Sequence, residues 1–289
     1  MSLVYKISYQ SSNRYDQGAN GAIWRLLILP CTDRTQRLNS MSFQCSLLNK
    51  ETELMENTFG FSYYLISLQK SFESVDFSLE AVVEKTFINP YEFQMEWPGS
   101  EEWRYLDSLE SQIENHLFLG NSPLTQIITD TPIFVFDRKR RVMENLIALN
   151  QFLFDQIQYV TGSTDVNTTA NEAWHQRQGV CQDFSHIFLN IARQNKVPAR
   201  YVSGYLSQGQ QHRGATQMHA WVEAFVPGLG WKGFDASNGL LVDHQFIKIA
   251  HGADFSDCSP LKGIVQTVGQ QHTTYHVSVA NQYQNLKNQ

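Results

Sequence analysis

Five short apolar segments punctuate the first 90 residues: VYKISYQ, IWRLLIL, MSFQCSLL, YYLISLQ and SLEAVVEKTF. Each is rich in β-branched and aromatic residues, and polar or glycine-containing stretches separate them at hairpin spacing. The pattern predicts an N-terminal antiparallel β domain over 1–90. After Pro90 the apolar period lengthens from two residues to about 3.6. Ser100 stands as an N-cap ahead of two acids, and Trp103, Leu106, Leu109, Ile113 and Leu117 then recur at helical spacing. A loop with Pro123 and Pro132 follows, so 91–136 reads as a helical connector. A second helix, capped by Asp137, carries Val142, Leu146, Leu149, Leu153 and Ile157 as an apolar stripe. A third begins at Cys181, with Phe184, Ile187, Phe188, Ile191 and Ala192 on its buried face. Strand patterns return from residue 197 in ARYVSGYL, HAWVEAFV, GWKGFDA and, near the end, TYHVSVA. The expected fold is α+β, a β domain followed by a core over 137–289 with helices packed on an antiparallel sheet.

Composition narrows the class. With 42% hydrophobic and 17% charged residues in 289, the chain is ordinary globular material with room for two domains. No apolar run approaches the roughly 20 residues of a spanning helix, and the N-terminus lacks the pattern of a signal peptide. A net charge of −6 argues against a nucleic-acid partner. Cys31, Cys45, Cys181 and Cys258 are widely scattered with no CxxC pair, so reduced thiols in the cytoplasm are expected. Cys45 and Cys258 read as small buried hydrophobes.

Cys181 is different because it opens a helix. The unpaired N–H groups and the dipole there favour a thiolate, and Gly179 permits close backbone approach just ahead of it. A nucleophilic cysteine also needs a base and a group to hold that base. His186 is five residues on, about 140° around the helix, and points elsewhere. His219 opens an alternating strand, shares a face with Trp221 and Glu223, and is followed by the turn PGLG and a strand ending at Asp235. An odd loop count or a bulge would bring His219 and Asp235 to one face of the hairpin. Asp235 also suits a turn, and Asn238 is a rival for orienting the histidine. Asp183 reads as a favourable charge in the first helical turn. GLGWKG fits GxGxxG but lies between two strands, which excludes the dinucleotide fingerprint.

The stretches GVCQDF, PARYVSGY, HAWVE and GFDASNG resemble the bacterial transglutaminase-like family, which is related to papain-type cysteine proteases. RLLILP, ENTFGF and DFSDCSP are looser echoes of it; the likeness is strong over 174–260. Ala236-Ser237 stand where that family usually has Pro-Thr, and Gln182 where arginine is also common. The resemblance implies a papain-like core and a catalytic triad of Cys181, His219 and Asp235; Trp174 and Trp221 read as core or cleft walls, with support of the site as their alternative role, as it is for Asn238. It implies acyl transfer on an amide or peptide bond of a peptide or protein substrate, through a thioester. Water as acceptor gives hydrolysis, the expected outcome; a primary amine gives transamidation. No cofactor is expected: no EF-hand-like acidic loop is present, and a zinc site lacks closely spaced ligands. A peptide-binding scaffold that kept the fold without its chemistry is the competing class.

Overall fold

The computed structural model describes residues 2–94, 97–207 and 212–281. The N-terminal strands are β1 (Ser2–Ala19), β2 (Ala22–Leu26), β3 (Gln36–Cys45), β4 (Glu51–Glu56), β5 (Ser62–Leu68) and β6 (Phe72–Thr86). Helices α1 (Gly99–Leu106), α2 (Leu109–Glu114) and α3 (Val142–Gln156) follow. Next come β7 (Gln158–Tyr159), α4 (Ala170–Gln176), β8 (Gln178–Gly179) and α5 (Cys181–Gln194). The chain continues through β9 (Ala199–Leu206), β10 (His219–Val226), β11 (Gly230–Asp235), β12 (Leu240–Leu241) and β13 (Phe246–Gly252). It ends with α6 (Phe255–Cys258), β14 (Leu261–Val265) and β15 (Gln271–Asn281). No helix among the described residues is long and apolar enough to cross a membrane.

The core sheet runs β12-β11-β10-β9-β13, all antiparallel, and α5 packs across β10 and β9. Every residue of α5 from Gln182 to Arg193 is buried, polar ones included. Arg193 is tolerated because its guanidinium donates to the carbonyls of Ala199, Gly120 and Ala253. The stripe on α3 is buried as its period requires.

Two helix starts differ from the sequence pattern. Pro98, without a side-chain bond, precedes α1 in place of Ser100, and the expected single helix breaks at Asp107. Ser108 then caps α2 by accepting from the Ser111 N–H, which turns Leu109, Ile113 and Leu117 out to solvent. At α3 the cap is not Asp137. The fully buried Glu102 reaches over from α1, taking the Val142 N–H at 2.9 Å and Arg141 at 2.7 Å.

The N-terminal strands form two sheets, and each is completed from the far end of the chain. One has the order β15-β1-β6-β3 and the other β14-β2-β5-β4. Thus β14 and β15, which sequence position groups with the 137–289 core, pair with β2 (Gly263 opposite Trp24) and β1 (Val277 opposite Tyr9). Residues 282–289 lie outside the described residues. The strand β4, ETELME, is exposed at all six positions, so it carries no alternation by which to be recognised.

The two layers of the molecule are joined by polar bonds around a buried stretch. Leu27 and Ile28 are fully buried; the Leu27 N–H donates to Pro260, and Tyr205 Oη donates to the Ile28 carbonyl at 2.7 Å. Beside them Gln36 Oε1 accepts from the Lys248 N–H and from Lys85 Nζ. Lys248 and Arg200 both donate to Glu223. Burial works against the Glu223 carboxylate, but these two cations outweigh it and take it from an ordinary 4.5 to about 2.

Candidate active site

The approach to Cys181 is fixed from two sides. The short parallel pair β7 and β8 sets Tyr159 opposite Gly179, and the Val160 N–H donates to the Gly179 carbonyl. Asp183 reaches back to accept the Val180 N–H at 2.7 Å, and Thr164 Oγ1 donates to the same carboxylate oxygen. A Cβ on Gly179 would stand 2.6 Å from the Asp183 Cβ, so glycine is required for this cap to form. Asp183 is therefore a helix-capping group. The Cys181 carbonyl is held in turn by Ser185 Oγ at 2.8 Å.

On the facing hairpin the loop between β10 and β11 has three residues, 227–229, since Val226 pairs with Gly230. That odd count puts Asp235 on the same face as His219. The two meet through His219 Nε2 and Asp235 Oδ2 at 2.8 Å, both 1% exposed. Asp235 Oδ1 accepts the Ser237 N–H and hydroxyl and the Asn238 N–H, while Asn238 Nδ2 donates to Oδ2. Asp235, not Asn238, is thus the partner of the imidazole, and Asn238 holds the carboxylate. Ser237 keeps a hydroxyl on that carboxylate.

Burial opposes both charges here, yet each is favoured. Asp235 lies below the usual carboxylate range because His219 and the hydrogen bonds from Asn238 and Ser237 outweigh desolvation. Burial depresses His219, but the Asp235 charge and then the Cys181 sulfur raise it to about 10. Its other ring nitrogen, Nδ1, is buried with no hydrogen-bond partner, which leaves it for that sulfur. Gly214, at φ +81°, passes so close that a Cβ would lie 2.7 Å from Nδ1.

The remaining expected residues divide. Trp221 is 2% exposed, with its ring stacked against the imidazole at a centroid distance of 6.4 Å, and Phe246 packs against both rings. Trp174 takes the core alternative: it sits on α4 against Phe152, with the Arg177 guanidinium 3.4 Å over its ring, and does not line the cleft. His186 is fully buried and accepts the Phe255 N–H; burial lowers it to about 4, so it stays neutral. Tyr159 and Arg213 were not singled out by the sequence pattern. Tyr159 lines the cleft beside Cys181, and Arg213 holds the loop over Asp235 by donating to Ser237 and Asn238. The clue to Tyr159 is its place two residues after Ile157, the last apolar residue of the α3 stripe; Arg213 lies in a loop and gives none.

Cys181 and His219 share a cleft of about 560 Å³. Among the described residues no group of three or more histidine, cysteine, aspartate or glutamate side chains is disposed to hold a metal ion.

Residues 136–236 match the transglutaminase-like superfamily model, and this part of the chain is a transglutaminase-like domain. The chain is 34% identical over 160 residues to an uncharacterized protein of Mycobacterium tuberculosis, covering 52% of this chain and 51% of that one. It is 36% identical over 125 residues to one of Mycobacterium leprae, covering 41% and 43%. The chain spans about half the length of the curated relatives it matches. A crystal structure of a candidate cysteine protease from Cytophaga hutchinsonii superposes with a TM-score of 0.75 at 21% identity, over 98% of this chain and 91% of that one. That likeness extends the fold correspondence to the β domain.

Proposed function

We propose that the protein hydrolyses amide or peptide bonds through a thioester on Cys181. The observation that carries this reading is the buried His219–Asp235 pair at 2.8 Å, which leaves Nδ1 of the same ring for the Cys181 sulfur. His219 holds the thiolate as an ion pair. The sulfur attacks the carbonyl carbon, and the oxyanion forms against the backbone N–H of Cys181 at the start of α5. His219 gives its proton to the departing amine as the C–N bond breaks, leaving the thioester. The neutral ring then takes a proton from water, whose oxygen attacks the thioester. The acid is released and the thiolate and imidazolium return. Asp235 keeps the ring in the tautomer and orientation that both steps require.

No cofactor enters this scheme. All four cysteines are free, which suits the cytoplasmic setting we assign. A peptide mixture incubated with and without a primary amine, and analysed by mass spectrometry, tests the reading. New carboxyl termini in both samples are expected. Amine-linked products that replace them would make the protein a transamidase, and peptides bound but unchanged would make it a scaffold.

A further inference from the structure

The cleft does not end at the transglutaminase-like domain. Beyond Cys181 and His219 it is lined by Tyr9, Trp24, Val265, Thr273 and Tyr275, all from the β domain. The pairing explains how. Strands β14 and β15 are the edge strands of the two N-terminal sheets. Thr273 and Tyr275 stand opposite Asn13 and Ser11, on the face of β1 that is buried against the second sheet. Gly263 and Val265 share the face of Trp24 and Ala22 on the other sheet. In a closed sandwich such inward-facing positions are covered. Here they are not: Tyr275 is 49% exposed, and Thr273 and Gly263 are exposed too. The gap between the two sheet edges is therefore open, and it opens into the cleft that holds Cys181. Gly263 keeps its floor clear, since a Cβ there would lie 2.7 Å from Trp24 Cδ1.

We infer that this gap is a substrate subsite, contributed by the β domain, for an uncharged aromatic or large aliphatic side chain near the bond that is cleaved. It rests on the proposed cysteine chemistry and adds the substrate class. None of the β-domain residues lining it carries a formal charge, and Tyr9, Trp24 and Tyr275 supply aromatic surface. Buried without a partner, a charged side chain is penalised there, whereas an aromatic one gains contact on both sides. The one acid that lines the cleft among the described residues, Asp165, belongs to the loop before α4 and not to this wall.

N-substituted iodoacetamides separate the two ideas, because iodoacetamide itself reports the thiol and the substituent reports the subsite. Second-order rates at Cys181 are measured for benzyl, carboxymethyl and aminoethyl derivatives, each divided by the rate for iodoacetamide on the same variant. In the wild type the benzyl ratio should exceed the charged ones by about tenfold or more, the scale of discrimination by one apolar pocket. Tyr275→Ala, which removes one wall, and Val265→Glu, which places a charge on the other, should each bring that preference within about threefold. Leu54→Lys, on the distant edge strand β4, should retain it. Equal ratios in the wild type, or a preference that survives both substitutions, would overturn the subsite. Slow reaction with iodoacetamide itself would count against the cysteine chemistry, while the ratios would still report the subsite.

Discussion

Cys181→Ala should remove the proposed turnover, with a fall of at least about ten-thousandfold, the scale seen when a covalent nucleophile is deleted. No other thiol can take its place. Cys258 is fully buried and pushed well above the ordinary thiol value by desolvation. Burial also takes Cys31 to about 12 and raises Cys45. Thiolate is the reactive form, so these three are poor nucleophiles even before geometry is considered. Cys181 is only half-buried, and its side chain makes no hydrogen bond that the fold depends on, so alanine there should leave the melting temperature nearly unchanged. The check is peptide hydrolysis followed by mass spectrometry alongside a thermal melt, with Cys45→Ala as the variant that keeps activity. Residual hydrolysis in Cys181→Ala at the wild-type rate would move the nucleophile elsewhere.

Asp235→Asn should lower kcat by about ten-thousandfold, because an amide can present its NH2 to His219 Nε2 and favour the wrong tautomer. Stability responds with a definite dependence on pH. Asp235 is depressed in the fold, so its stabilisation is present above the ordinary carboxylate value of 3.8 and is lost as pH falls. His219 is raised, so its share is complete below 6.5 and is lost as pH rises toward about 10. The gap in melting temperature between wild type and Asp235→Asn should therefore be widest between those two ordinary values and should narrow on both sides. Asn238→Ala, which removes only one of the donors to the carboxylate, should give a smaller loss of rate. A gap that does not vary with pH would mean that the pair is not ionised in the fold.

Much of this site was legible in the sequence because its geometry is local. Cys181 lies at a helix start that periodicity locates, while the parity of the hairpin from His219 to Asp235 is open in the sequence and is set by its three-residue loop in the fold. For Trp174 the sequence left core and cleft wall open, and the fold places it against the core. A tryptophan seven residues before a nucleophile lies near it along the chain, but the turn between α4 and α5 sends it against Phe152. The break at Ser108 was hidden because a capping serine and a helical stripe are both compatible with that stretch. Least legible were β14 and β15. The pattern TYHVSVA marks β15 as a strand, whereas LKGIV in β14 carries no alternation and gives no signal; the partners both choose lie more than 200 residues away, and only those partners' exposed edges decide the matter. The open end of the sandwich, and with it the wall of the cleft, follows from that pairing.

The central claim, a thiolate held by an imidazolium, is tested most directly by alkylation of Cys181 with iodoacetamide as a function of pH, in wild type and His219→Ala, read by peptide mass spectrometry. The ion pair predicts rapid labelling already at about pH 6, where an ordinary thiol of pKa about 8.5 is almost wholly protonated. It also predicts that His219→Ala slows labelling at that pH by about tenfold or more, with the rate recovering as pH rises toward that of a free thiol. Slow labelling in the wild type that climbs only near pH 8.5, with the same profile in His219→Ala, would contradict it.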